Sequence, residues 1–183
     1  VRFDTTGQLD PTFDEEGIVM THMGIGAGVA NALAIQPDGK IVLAGQVFNE
    51  STFLWEIGIA RYDTDGALDP SWDHDGIVFA PVQDVNPTIN EIVLQSDDKI
   101  IVGGFSGTAP SNNKFTLARF HPNGAPDESF DGDGVVIDSY GFQDNQINAI
   151  VIQPDGHLII AGTTLVGNVD RFALARLDAE ALE

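Results

Sequence analysis

The sequence predicts an all-β chain assembled from three copies of one four-stranded unit, and three observations carry that expectation. A near-identical pattern recurs from Arg2, Arg61, Arg119 and Arg176, with steps of 59, 58 and 57 residues. A period of this length marks one supersecondary unit used repeatedly. The apolar residues alternate over short runs, and no stretch keeps a helical period over three turns. The runs are punctuated by Pro-Asp-Gly and Asp-Gly turns, in which proline presets φ and glycine takes the left-handed position.

Each copy supplies four strand signals in order. The first follows an acidic turn, as Gly17-Ile18-Val19-Met20, Gly76-Ile77-Val78-Phe79 and Gly134-Val135-Val136-Ile137. The second ends in Gln36, Gln95 or Gln153 and begins at Asn31, Asn90 or Asn148. Gln36-Pro37-Asp38-Gly39 and its counterparts then turn the chain straight into a third run such as Lys40-Ile41-Val42-Leu43-Ala44-Gly45, which is a hairpin signal. In copy two Asp98 stands where the others have glycine and must visit the left-handed region at some cost. The fourth run is Glu56-Ile57-Gly58-Ile59-Ala60-Arg61, with Phe115 and Leu117, then Phe172 and Leu174, in the places of Ile57 and Ile59.

Four short strands in under sixty residues, stacked by apolar faces, describe the blade of a β-propeller. Residues 1–183 thus read as one repeat domain with copies at 2–60, 61–118 and 119–175, and 176–183 open a fourth copy or form an appended tail. Three blades make an open arc, because propellers close with about 4–8. Closure then comes from self-association into a homo-oligomer or from further blades of a longer chain. The strings Arg61-Tyr62-Asp63-Thr64-Asp65-Gly66-Ala67-Leu68-Asp69, Ala34 through Gly45, and Phe172-Ala173-Leu174-Ala175-Arg176 resemble the bacterial delta-60 repeat. That resemblance covers almost the whole chain. It implies a propeller-like scaffold in a secreted or surface-associated bacterial protein, and no catalytic residues.

Charge narrows the partners. Asp and Glu total 28 against 8 Lys and Arg, a net charge of −20. A field of that sign repels phosphate backbones and anionic membranes, so neither nucleic acid nor membrane insertion is expected. No apolar run reaches the about 18 residues of a spanning helix. Cysteine is absent, which excludes disulfides, thiolate metal sites and cysteine nucleophiles.

Half of the eight basic residues are the arginines that open each copy, and Arg2, Arg61 and Arg119 each have an aspartate eight residues on, at Asp10, Asp69 and Asp127. A guanidinium holds a carboxylate through two hydrogen bonds, and a pair repeated in every copy points to a structural ion pair rather than a substrate site. The acidic turns are candidate calcium loops: Asp63, Asp65 and Asp69 in D-x-D-G-x-x-D spacing, Asp73 and Asp75, and Asp131 and Asp133. Calcium takes about 6–8 oxygens, often from alternate carboxylates on a glycine-containing loop. Against this, neither loop matches an EF-hand, and the first becomes Asp4-Thr5-Thr6-Gly7 and His121-Pro122-Asn123-Gly124 in the other copies. The second keeps acids in copy one as Asp14-Glu15-Glu16-Gly17.

His22, His74, His121 and His157 fall at unrelated repeat positions, without metal-ligand spacing. Gly24-Ile25-Gly26-Ala27-Gly28 lacks a following helix to hold a phosphate and reads as a loop. The copies differ most before their fourth strands, at 48–55, 106–113 and 163–170. A constant scaffold with variable loops is the pattern of a binding protein. Phe48 and Trp55 in the first such loop are candidates for stacking on a sugar or a partner side chain, and Trp55 equally for alternating inward as core. The expected function is therefore a non-enzymatic extracellular module mediating adhesion or assembly through protein or carbohydrate contacts. The alternative is a propeller hydrolase or lyase acting at its central channel.

Overall fold

The computed structural model describes residues 1–14, 16–23, 26–80, 82, 86–107, 112–140 and 143–178. Glu15, Gly24 and Ile25, residues 108–111 of the copy-two loop, and residues 179–183 lie outside them. Among the described residues the chain is all-β, with three antiparallel sheets whose strands follow sequence order. The first holds β1 (Gly28–Ile35), β2 (Ile41–Asn49), β3 (Leu54–Tyr62) and β4 (Ile77–Ala80). The second holds β5 (Thr88–Leu94), β6 (Ile100–Ser106), β7 (Lys114–Phe120) and β8 (Val135–Asp138). The third holds β9 (Gln143–Ile152), β10 (Leu158–Val166) and β11 (Val169–Leu177).

The hairpins form where the turn chemistry requires. The Gly39 amide donates to the Gln36 carbonyl at 2.9 Å, and the Gln36 amide to the Lys40 carbonyl at 2.8 Å. Gly39 has φ +87° and Gly156 φ +88°, while Asp98 adopts the same left-handed backbone at φ +63°.

The blades are offset from the sequence copies. The short run after each acidic turn is the last strand of the preceding blade, not the first strand of its own. Val78 lies opposite Ile59, and Val136 opposite Leu117. The cause is local. The Arg61 amide donates to the Gly76 carbonyl at 2.8 Å and the Asp69 amide to the Arg61 carbonyl at 2.9 Å, which returns the chain beside the strand it has just left. A run of this kind joins the strand of the copy before it. Among the described residues Ile18–Met20 therefore takes no strand partner, and the third sheet shows three strands where the first two have four.

The sheets stack face to face. Ile57 and Ile59 of β3 and Val78 of β4 share one core with Ile92, Ile100 and Val102 of the second sheet. Phe115 and Leu117 of β7 share the next with Ile150, Leu158 and Ile160 of the third. Strand β1 packs beside β5, and β5 beside β9, so the first strands lie innermost and the sheets fan outward as propeller-like blades.

Each first strand carries a β-bulge that no expectation included. The ladder skips Asn31 in β1, Asn90 in β5 and Asn148 in β9. Gly45, Gly104 and Gly162 sit across from these bulges, and a Cβ there would lie 1.9, 1.8 and 1.8 Å from a facing carbonyl oxygen. Only glycine lets the bulged strand approach this closely.

Candidate functional site

The arginine that opens each of the three complete sequence copies builds the same constellation. Arg2 Nε lies 2.8 Å from Asp10 Oδ2, Arg61 Nε 2.9 Å from Asp69 Oδ2, and Arg119 Nε 2.7 Å from Asp127 Oδ2. A second guanidinium nitrogen donates to Thr12, Ser71 or Ser129 at 2.7, 3.2 and 3.1 Å. That hydroxyl donates in turn to the other carboxylate oxygen, at 2.7, 2.6 and 2.6 Å. The guanidinium also stacks over Phe13, Trp72 or Phe130, at 4.7, 5.4 and 4.6 Å from the ring centre.

The constellation also grips the next copy. Arg2 Nη1 donates to the Thr64 carbonyl at 2.7 Å and Arg61 Nη1 to the Pro122 carbonyl at 2.9 Å. The Phe13 ring lies against Gly66 and the Trp72 ring against Gly124, where a Cβ would come within 3.0 and 2.8 Å. Both glycines also have positive φ. The aromatic is thus one half of a seat whose other half is the glycine of the following turn.

A lysine completes the charge balance. Lys40 Nζ lies 3.0 Å from Asp69 Oδ2, and Lys99 Nζ 3.2 Å from Asp127 Oδ2. Burial raises the Asp127 pKa. The Ser129 hydroxyl, the Lys99 ammonium, the Ser129 amide and the Arg119 guanidinium together outweigh it, holding the group at about 2. Burial acts the same way on Asp69, and Ser71, Lys40 and Arg61 drive it well below the carboxylate range. The Arg61 and Arg119 pairs fasten β3 and β7 to the turns that follow them, and the Arg2 and Arg61 clasps reach a carbonyl of the next copy.

The calcium sets come out differently. Both carboxylate oxygens of Asp69 are engaged by cationic and hydroxyl donors, so this residue has none to offer a cation. Asp63 Oδ1 accepts the amides of Asp65 and Ala67 at 2.9 and 3.0 Å, and Asp75 and Asp133 accept those of Ile77 and Val135 at 2.9 Å each. These are aspartates capping their own turns. Asp73 and Asp131 adopt positive φ on the same turns, and the Asp73 amide donates to the Asn123 carbonyl at 3.3 Å. Among the described residues no group of three or more acidic or histidine side chains is placed to hold a metal.

The aromatic candidates do come together, at the tip of the β2–β3 hairpin. Phe48 lies opposite Trp55 in the ladder, with ring centres 5.5 Å apart, and Phe53 packs edge-on against Phe48 at 6.4 Å. Phe48 and Trp55 are half-buried and Phe53 is exposed. Beside them Asn49 Nδ2 donates to Glu56 Oε1 at 2.9 Å. At the place of Trp55 the other copies carry Asn113 and Asp170, so the cluster belongs to the first blade alone. Sequence reasoning missed Phe53, although its place between Phe48 and Trp55 in a variable loop was the signal for it.

The bulge asparagine was also missed. Asn90 Nδ2 donates to the Ile147 carbonyl at 2.8 Å, which ties the innermost strands of two blades together. Its recurrence at Asn31, Asn90 and Asn148 was visible in the sequence.

Three innermost strands, three outward-fanning sheets and a repeated interblade clasp describe a propeller array, and a family model matches it at residues 36–71, 95–130 and 153–180. The chain belongs to the beta-propeller family known as domain of unknown function DUF5122. Each matched stretch of this DUF5122 chain begins at the hairpin glutamine and takes in the second and third strands of a blade. The first two run on through the arginine and aspartate of the clasp. No curated protein matches the chain.

Proposed function

We propose that this DUF5122 chain is a non-enzymatic scaffold of the delta-60 type, placed outside a bacterial cell or on its surface. In this reading it mediates adhesion or assembly through the loops in which its blades differ. The observation that carries the proposal is the aromatic tip of the first blade. Phe48, Phe53 and Trp55 form a ring cluster at the tip of the β2–β3 hairpin, with Phe53 76% exposed beside the Asn49–Glu56 pair. Flat apolar faces next to planar polar groups suit the stacking of a sugar ring, and a protein side chain is the second class of partner such a surface fits.

A glycan panel probed with the intact chain tests this reading. A retained glycan is expected, with Phe53→Ala and Trp55→Ala each weakening it about tenfold or more. Retention unchanged by both substitutions, or none at all, would count against the carbohydrate reading. The rival reading, a hydrolase or lyase at the central channel, predicts turnover in a broad hydrolase and lyase screen, and such turnover would overturn the scaffold proposal.

A further inference from the structure

The two outer faces of the array are the two halves of an interface that the chain already forms twice internally. On the third blade Phe172 is 100% exposed and Leu174 76% exposed, whereas their equivalents Ile57, Ile59, Phe115 and Leu117 are at most 7% exposed. On the first blade Leu33 is 62% exposed, whereas Ile92 and Ile150, its equivalents, are 5% and 4% exposed. Ile57 and Ile59 share a core with Ile92, and Phe115 and Leu117 share one with Ile150. Phe172 and Leu174 therefore present what Leu33 is shaped to receive. A third unmatched pair lies at the same two ends: among the described residues Ile18–Met20 has no strand partner, while β11 has β10 on one edge and none on the other.

We propose that a second copy of this chain seats head to tail on these faces, and that Ile18–Thr21 of each copy joins β11 of the other as its fourth strand. The register follows from the two internal examples. Val78 lies opposite Ile59 and Val136 opposite Leu117, so Val19 lies opposite Leu174 and Thr21 opposite Phe172. Two such joints close six blades into a ring, within the about 4–8 that propellers use, and give the third blade its fourth strand. Leu33 and Ile35 are covered at the same time.

The clasp supports the same occupant. Arg176 holds the repeat position of Arg61 and Arg119, yet its partners are Gln153 Oε1 and Asp155 Oδ2, both at 2.8 Å on the exposed surface. In the pair, Arg176 takes Asp10 and Thr12 of the second copy and displaces Arg2 there. Arg2 is the clasp arginine most readily released, since its side chain is 35% exposed against 8% for Arg61 and 1% for Arg119. A net charge of −20 on each copy opposes the approach, so an apolar joint between them tightens as salt rises.

Light scattering of the unaltered chain should give twice 19.5 kDa. Leu174→Asp should give the single-chain mass with an unchanged circular dichroism spectrum, because this side chain is exposed in the isolated arc. The chain has no cysteine, so Val19→Cys with Leu174→Cys should yield a disulfide-linked pair of chains on a non-reducing gel, and Val19→Cys with Arg171→Cys should not. A single-chain mass at every concentration and salt overturns the proposal. An open series of growing masses overturns the closed ring, and a Leu174→Asp pair overturns the placement of the joint.

Discussion

Removing the clasp arginine one copy at a time asks how much its burial is worth. The three constellations share their chemistry and differ in exposure. The Arg119 and Asp127 side chains are 1% and 2% exposed, Arg61 and Asp69 are both 8%, and Arg2 and Asp10 are 35% and 20%. Breaking a buried pair from one side costs about 3–5 kcal/mol, because the remaining charge stays out of water. Arg119→Ala leaves Asp127 with Lys99 at 3.2 Å and with Ser129, so its loss belongs at the lower end, about 3 kcal/mol. Arg61→Ala, which leaves Lys40 at 3.0 Å from Asp69, should lose a similar amount. Ring stacking does not spoil the comparison, since Arg2 lies 4.7 Å from its ring centre and Arg119 4.6 Å.

Urea unfolding reads the result. With a slope of about 2 kcal/mol per molar, Arg119→Ala and Arg61→Ala should lower the midpoint by about 1.5 M. Arg2→Ala should lower it by about a quarter as much, as expected of a solvated pair. Equal losses at all three sites, or the largest loss at Arg2, would refute the argument that burial gives the pair its worth. The double substitution Arg119→Met with Asp127→Leu should recover much of the loss, because no unpaired charge is then left inside.

Acid should weaken the array by a route the same residues define. The folded-state value of Asp127 is about 2 against an ordinary 3.8, so its contribution is whole above the ordinary value and is lost as pH falls toward 2. Urea midpoints measured from pH 5 downward should fall across that window, and less steeply in Asp127→Asn. Gly104→Ala should cost about 3 kcal/mol or more, since its Cβ would meet the Thr88 carbonyl oxygen at 1.8 Å. Gly132→Ala, with φ +81° and open space around it, should cost only the left-handed penalty of about 1 kcal/mol, and thermal unfolding of the two variants separates a clash from a backbone preference.

What could be read in advance divides along a physical line. The hairpins were legible because Gln36-Pro37-Asp38-Gly39 encodes its own backbone, and copy two shows the rule holding even with Asp98 in the glycine place. The arginine–aspartate spacing was legible because scarce cations recurred at one fixed offset from an aspartate. The blade to which Ile77–Ala80 belongs was not legible. A four-residue apolar run has no preference for its neighbours, and only the clasp hydrogen bonds between Arg61, Asp69 and Gly76 turn it back toward β3. The acidic turns stay ambiguous in the sequence for a related reason. An aspartate that caps an amide two residues on and one that awaits a cation have the same spacing, and the difference lies in the direction of Oδ1. Bulges leave only a faint trace, here an asparagine at 31, 90 and 148 set against glycines at 45, 104 and 162.

The offset between copy and blade has an energetic consequence of its own. Because β4 and β8 are contributed by the following copy, neither of the first two blades is completed by its own residues. The Arg–Asp clasp sits at the crossing point, and its arginine also reaches a carbonyl one copy further on. Cutting the chain between copies would therefore remove a strand, a clasp and an aromatic seat together. Repeat arrays that touch only through side chains unfold as a sum of units and nearest-neighbour terms. Here the neighbour term includes backbone pairing, so the middle blade, joined on both sides, should be the last to open. Native-state hydrogen exchange tests this without any substitution. The amides of β6 and β7 should outlast those of β2 and β10. The reverse order would mean that the blades hold mainly through their own cores, and that the shared strands add little.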